Sequence, residues 1–591
     1  MRSDLSDKSD LSDCVVRITL PRPRKRAGVF YPTVEMMDKP DFECKIVSSL
    51  EKLLCRAELD APALESVSGI RGETVNFQIV YKCDLVRVFI TACEIDAPDG
   101  AEVKVLNERL VPCRLPAVNE DPYKITSDPG MFPSPLTAID PTLSSIRGKW
   151  NALWASVTPG ENCAAGRHVL KIRLRWKQHV PCSLQTPAPE YEELIELPFV
   201  VRDATLAPAK LICTQWFHAD CLATYYRVEP WSERHWRIME NYMRDMTAHN
   251  INMLYTPLWS APLDTAIGGE RPTAQLLIVR KTAGEYEFDF SRLRRWFKQG
   301  LDCGFRYFEF AHAFTQWGAK ATPKVVAEVD GAEKRIFGWD VPADSPEYER
   351  FLSALMPRLI ALVKELGIDK QCRFHVSDEP NAEQFDAYMR AAKLLDKLTP
   401  GFVKMDALSH VEYFRAGATK CPIPKTNNLA EFMAEEIPER WVYYCGNWGD
   451  GVPNRMFGIP SYRNRALGVL LYALGIDGFL HWGYNFYYTQ LSRRTDIDPW
   501  WVTDAGGGFV GGDSFLVYPG EDGKPVTSLQ YEVFNEGLQD VRLLQTLEKK
   551  IGRDEVMKIV NAGLERPLAM TDYPQSAEWL LDLHERIVAR F

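Results

Sequence analysis

The sequence predicts a β-sandwich followed by a (β/α)8 TIM-type barrel with a C-terminal helical extension, and three observations predict it. Residues 14–209 hold short β-rich runs separated by Pro, Gly and Asp, with little helical periodicity. From residue 210 to about residue 500 strands alternate with amphipathic helical stretches, eight times in all, which is the count and length of a barrel. From residue 501 a Trp- and Gly-rich stretch leads to a strand-like segment, Ser514–Tyr518, and a long helical tail from Leu529.

In chain order, the first thirteen residues read as a flexible polar tail. The sandwich runs are Val15–Leu20, Thr74–Tyr81, Val86–Ala92, Ala152–Val157, His168–Trp176 and Leu194–Val201. Several alternate apolar and polar residues, as half-buried strands do, and about eight strands would close the sandwich. The barrel strands are Leu211–Phe217, Met253–Trp259, Tyr307–Phe314, Arg373–Ser377, Val403–Leu408, Cys421–Lys425, Trp441–Cys445 and Gly478–Trp482. Helical stretches between them include Glu233–Ala248, Phe290–Leu301, Pro346–Leu366, Ala382–Lys397 and Tyr462–Leu474. Gly367 stops one helix and Pro380 stands at the start of another. The fifth and sixth units carry the faintest periodicity.

Composition removes several function classes. The chain has 591 residues, 46% hydrophobic and 25% charged, with a formal net charge of −10. That balance argues against nucleic acid as a partner, whose phosphates need clustered Lys and Arg. The short basic run Arg22-Pro-Arg-Lys-Arg26 reads as a solvated loop. The polar N-terminus lacks the apolar core of an export signal, and no apolar run approaches the ~20 residues of a membrane span. A cytoplasmic enzyme with no membrane partner is expected. The 14 cysteines contain no Cys-x-x-Cys pair, so free thiols are expected, with neither metal nor cofactor.

Active sites of barrels lie at the C-terminal ends of the strands, so the residues there carry the functional argument. Strand one ends in His218 and Asp220, strand two in Trp259, strand three in His312 and Gln316, and strand four in Asp378-Glu379-Pro380. Strand five leads to Asp406, strand seven to Tyr444, Asn447 and Trp448, and strand eight to His481, Trp482 and Tyr484. Carboxylates, imidazoles and aromatic rings on one rim suit a carbohydrate, whose C–H faces stack on rings while its hydroxyls bond to acids and amides. Each has a plainer explanation: the aromatics as packing, His312 and His481 as core histidines, Asp220 and Asp406 as caps. Asp378 and Glu379 could sit at a helix N-terminus, favoured by its dipole. Their place at the end of the fourth strand makes catalysis the stronger reading.

Two adjacent carboxylates do not suit the ordinary glycosidase, whose pair flanks the sugar from both sides, about 5–5.5 Å or about 6.5–9.5 Å apart. They suit substrate-assisted hydrolysis, in which a 2-acetamido oxygen attacks the anomeric carbon. Asp378 would orient the acetamide N–H and stabilise its developing positive charge. Glu379 would protonate the leaving oxygen and then activate water, and Tyr484 or Tyr444 would hold the acetamide oxygen in line.

The barrel half resembles glycoside hydrolase family 123, the β-N-acetylgalactosaminidases and their bacterial relatives. The likeness rests on Trp216-Phe217-His218-Ala219-Asp220, Phe308-Glu309-Phe310-Ala311-His312, Phe374-His375-Val376-Ser377-Asp378-Glu379-Pro380, the run Gly478–Asn485 and the run Gly512–Gly520. The resemblance implies a β-sandwich ahead of the barrel, a catalytic pair at Asp378 and Glu379, and retaining, substrate-assisted cleavage of β-linked N-acetylhexosamine, N-acetylgalactosamine favoured. Other readings stay open at this point. One is a two-carboxylate glycosidase on a sugar without an acetamide, pairing Glu379 with Asp220 or Asp406. Another is a non-catalytic carbohydrate-binding protein. A metal-dependent hydrolase requires His218, Asp220 and His312 to converge.

Overall fold

The computed structural model describes residues 39–56, 58–118, 120–179, 188–446 and 451–591. The expected tail, the Val15–Leu20 strand and the basic run at Arg22–Arg26 lie outside the described residues, as do Asn447 and Trp448.

The N-terminal region holds two sheets. One has five strands in the order Glu43–Ser48, Val75–Lys82, Asn151–Pro159, Ala101–Cys113 and Gly130–Thr137, every neighbour antiparallel. The other has four, Val67–Arg71, Glu190–Thr205, Gly166–Gln178 and Val88–Asp96, of which only the first pair is parallel. The two share a core, with Phe77, Ile79 and Leu153 from the first and Leu170, Ile172, Leu174 and Phe199 from the second. Alternation makes this face: along Gly166–Gln178, Leu170, Ile172, Leu174 and Trp176 are buried while Lys171 and Arg173 are exposed. These are nine described strands where the sequence reading counts about eight.

The eight predicted barrel strands all form. They are β1 (Ile212–Gln215), β2 (Met253–Thr256), β3 (Tyr307–Phe310), β4 (Cys372–Phe374), β5 (Val403–Ala407), β6 (Cys421–Ile423), β7 (Trp441–Tyr443) and β8 (Gly478–His481). They pair in parallel in the order β6-β5-β4-β3-β2-β1-β8-β7. A parallel bridge between Lys425 and Tyr443, with the Tyr443 N–H on the Pro424 carbonyl, brings β6 to β7 and nearly closes the ring. The helices match their predicted spans closely, Glu233–Ala248 in full. Ser232 caps it by accepting the His235 N–H, Pro346 opens Pro346–Glu365, and Gly304 in left-handed conformation (φ 104°) ends Ser291–Cys303. The faint fifth and sixth units have a cause: their helices, Val411–Arg415 and Leu429–Met433, span five residues each, too few to show a helical period.

Two features escaped the sequence reading. Hairpins after β2 (Ile278–Thr282, Glu285–Asp289) and after β3 (Val325–Val329, Ala332–Phe337) join in a four-stranded sheet of their own. The expected strand Ser514–Tyr518 pairs as a strand only at Tyr518–Pro519, against Pro525–Val526.

The helix Leu529–Ile551 packs on Ser461–Ala473 with glycine against glycine. A Cβ on Gly468 would stand 1.8 Å from the Gly537 carbonyl oxygen. Backbone cannot swing aside as a side chain can, so Gly468→Ala is expected to cost about 3 kcal/mol, read as a lowered denaturant midpoint. A loss under about 1 kcal/mol would mean the two helices part without strain.

Candidate active site

A cavity of about 420 Å3 opens at the C-terminal ends of the barrel strands. Asp378 and Glu379 line it together. Beyond β4 the chain stays tied to the segment after β3: Phe314 N–H donates to the Val376 carbonyl and Trp317 N–H to that of Asp378. Glu379 then takes a left-handed backbone, φ 41°. That turn ends the alternation of an extended strand, and it is strained for a residue with a Cβ, at about 1–3 kcal/mol. The following helical turn is capped by Asn381, in a capping box with Gln384, so neither acid serves as its cap.

The two carboxyls have different surroundings. Glu379 Oε1 accepts the Tyr443 hydroxyl, with Lys425 Nζ at 3.4 Å and Cys445 Sγ at 3.6 Å. Burial, then the charge of Glu379, holds the Cys445 thiol well above its ordinary value, so it stays protonated and can donate. Asp378 has no such donors on its carboxyl among the described residues. Burial, then the charges of Glu379 and Asp406, lifts it well above the carboxylate range.

Beneath the pair lies a buried relay. His375 sets Nε2 2.8 Å from Glu309 and Nδ1 3.2 Å from Asp406. Burial alone would lower its pKa, but the hydrogen bonds to Asp406 and Glu309 hold it up to about 9, making it an imidazolium between two carboxylates. Asp406 also accepts the Val376 N–H and the Tyr388 hydroxyl; Glu309 accepts Thr214 and the Trp216 indole. The relay therefore fixes the backbone two residues ahead of Asp378.

The structure divides the expected site residues. His218 and Trp482 line the cavity with the acid pair. His218 sets Nε2 2.8 Å from the Trp482 carbonyl and Nδ1 3.2 Å from Arg271; burial, then Arg271, lowers it to about 3, so it is neutral. Asp220 does not face this cavity, because Arg271 holds it bidentately at 2.8 and 2.9 Å. Asp406 lies in the relay. Trp259 turns its indole N–H to the His312 carbonyl (2.8 Å), and His312 stacks on His375 with ring centres 4.4 Å apart. His481 is wedged between Arg455 (2.8 Å) and Asp513 (3.3 Å). Tyr484 points outward to Asp245 (2.7 Å), and Tyr444 packs on Phe479 and His481, so neither reaches the acid pair. The tyrosine on the cavity is Tyr443, one residue away, and one residue in a strand reverses the face.

Sequence reasoning also passed over Trp216, Asp264, Trp317, Lys425 and Asp513, all on the cavity wall, and Leu115 and Val118 from the N-terminal region. Trp216 sits inside a quoted motif, whereas Asp264 and Trp317 lie on loops with no periodic signal.

The metal reading has two candidate donor sets. His218 and Asp220 do not offer a cation site with His312, since the Arg271 guanidinium already occupies both His218 Nδ1 and the Asp220 carboxylate. His312, His375 and Asp406 do bring ligand atoms within 4.8 Å of one another, but both His375 nitrogens already serve carboxylates, so that donor set does not fit a cation.

The histidines bring two opposing pH dependences to stability. His375 (about 9), His249 (about 9, held by Asp245 and Glu532 against burial) and His584 (about 10, held by Glu73 against burial) are raised from 6.5. Their stabilisation is complete below 6.5 and is lost as pH rises through 9–10. Burial depresses His218 to about 3 and His235 and His481 to about 4, and their contribution is lost as pH falls below 6.5. The histidine contribution therefore peaks near 6.5, and His584→Gln should make the change of denaturant stability between pH 7 and 10 less negative; an unchanged slope would contradict this account.

The model of the glycoside hydrolase 123 catalytic domain matches residues 216–547. A family 123 glycoside hydrolase from Clostridium perfringens, studied for glycolipid glycan hydrolysis, superimposes with TM-score 0.68 at 13% identity, covering 93% of this chain and 97% of that one. A family 2 glycosyl hydrolase from Bacteroides cellulosilyticus gives TM-score 0.28 at 10% identity, over 72% of this chain and 46% of its own. A family 5 mannosidase from Rhizomucor miehei gives 0.30 at 12% identity, over 57% and 94%. No curated protein matches the sequence. No described helix is long and apolar enough to cross a membrane, and the described cysteines are free thiols.

Proposed function

Because the chain belongs to glycoside hydrolase family 123, we propose that it removes β-linked N-acetylhexosamine, N-acetylgalactosamine favoured, by retaining, substrate-assisted catalysis. The observation that carries this reading is that two adjacent carboxyls share one cavity wall. An ordinary pair would flank the sugar from opposite sides. The acids that a two-carboxylate mechanism would call on are otherwise engaged, Asp220 by Arg271 and Asp406 by the relay.

In this mechanism the substrate's acetamide oxygen attacks the anomeric carbon as the glycosidic bond breaks, giving an oxazolinium. Asp378 accepts the acetamide N–H and stabilises the positive charge that grows there. Glu379 protonates the departing oxygen, then takes a proton from the water that opens the oxazolinium, so configuration is retained. In the free protein, burial and the charges of Glu379 and Asp406 disfavour the Asp378 anion. Bound substrate offsets this, because the acetamide N–H and the nascent cation both favour that anion, and the proton for the leaving oxygen is then supplied by Glu379. The Tyr443 hydroxyl on Oε1 leaves Oε2 to carry it.

The test is turnover of matched aryl β-glycosides: N-acetylgalactosaminide, N-acetylglucosaminide, galactoside and glucoside. Activity confined to the acetamido sugars is expected. Comparable turnover of plain galactoside would remove the neighbouring-group step, and binding without turnover on all four would point to a carbohydrate-binding protein. Since the Clostridium relative was studied on glycolipid glycans, such a glycan is the first natural substrate to try.

A further inference from the structure

Two loops, one after β2 and one after β8, are tied together at the cavity that holds the acid pair. Asp264, after β2, accepts the Leu491 N–H on Oδ2 at 2.8 Å, and its carbonyl accepts the Ser492 hydroxyl at 2.7 Å. Ala266 N–H donates to the Leu491 carbonyl at 3.0 Å. Leu491 and Ser492 belong to the segment after β8, and in a ring of eight strands β8 stands opposite β4, which carries Asp378 and Glu379. Asp264, Leu491 and Ser492 all hold left-handed backbone, with φ of 39°, 60° and 50°. None is a glycine, and strained conformations of this kind persist where surrounding contacts impose them, chiefly at functional sites.

The tie uses only half of the Asp264 carboxyl. Oδ1 takes no hydrogen bond among the described residues, and Asp264 lines the same cavity as the acid pair. Burial raises this carboxyl to about 6, so it is largely ionised, and a strong acceptor, at neutral pH. A sugar with its anomeric carbon at Asp378 and Glu379 presents its C4 and C6 edge to the opposite wall.

We propose that Asp264 is a specificity-determining residue, whose Oδ1 accepts hydrogen bonds from the C4 and C6 hydroxyls of the bound N-acetylhexosamine while Leu491 and Ser492 fix its position. C4 is the centre at which N-acetylgalactosamine and N-acetylglucosamine differ. The assignment rests on the acetamido-sugar reading above.

The experiment compares 4-nitrophenyl N-acetyl-β-galactosaminide with its 4-deoxy and 6-deoxy analogues, in the wild type and in Asp264→Asn. Asparagine can still accept the Leu491 N–H while turning an amide N–H toward the sugar. The wild type is expected to lose at least about 10-fold in kcat/KM when one of the two hydroxyls is removed. In Asp264→Asn the parent substrate falls by a similar factor and that penalty shrinks to about 2-fold or less. Unchanged penalties in the variant, with turnover still confined to acetamido sugars, overturn the Asp264 assignment alone. A wild type indifferent to both deletions overturns it too, and needs no variant to fold. Rescue of Asp264→Asn by azide with formation of a glycosyl azide would make Asp264 a nucleophile, overturning both this assignment and the substrate-assisted reading.

Discussion

Glu379→Gln is expected to lower turnover of glycosides with alkoxide leaving groups by about 10²–10⁴-fold while sparing most of the first-step rate on activated aryl glycosides. The split follows from what the side chain supplies. A sugar alkoxide leaves poorly without a proton, whereas a nitrophenolate leaves without help. The amide keeps an oxygen for the Tyr443 hydroxyl that now bonds Oε1, so the local packing should survive and the loss should be chemical. The steep dependence on leaving-group pKa is the diagnostic. Equal losses on both kinds of substrate would mean that Glu379 does not protonate the leaving oxygen, and full activity on both would remove it from the mechanism.

The backbone framework was the legible part of this protein. Strands buried in a parallel barrel read as short apolar runs, and their helices have strong amphipathic periods, so Glu233–Ala248 could be bounded to the residue. The position of the acid pair at the cavity was legible because its neighbours place it: a strand that must end, two carboxyls and a proline. What the sequence could not convey was which rim residues face inward. His481 and Trp482 are consecutive, yet one is locked between Arg455 and Asp513 while the other lines the cavity. Tyr443 and Tyr444 are likewise consecutive and reversed. Nor does sequence spacing reveal Arg271, which decides that Asp220 is a structural partner. It lies 51 positions from Asp220 on a loop without periodicity. The buried relay was missed for a related reason, since Glu309 and His375 look like ordinary members of apolar strands until their side chains meet.

That relay bears on the remaining acid. Asp378 sits above a layer in which an imidazolium is shared by two carboxylates, and it gains no donor of its own there. A carboxyl held in that setting is costly as an anion, which is why its pKa rises. In the proposed mechanism such a group has its largest effect in the transition state, where the oxazolinium cation would appear beside it.

Asp378→Asn should therefore separate stability from activity. At neutral pH the wild-type carboxylate carries a penalty from burial and from the Glu379 charge, and its raised pKa means that stability falls as pH climbs above the ordinary value of 3.8. Asparagine removes that penalty, so the variant is expected to unfold at an equal or higher denaturant midpoint at pH 7. Its amide can still face the acetamide but holds no negative charge for the growing cation. Turnover should fall by about 10²–10³-fold, and by the same factor on activated aryl glycosides as on natural leaving groups, because the oxazolinium forms as either leaving group departs. Loss confined to poor leaving groups would instead make Asp378 the proton donor and exchange the two roles. A variant with full activity would sink the assignment of the pair, and one that was inactive but much less stable would show that the carboxyl holds the fold together rather than the transition state.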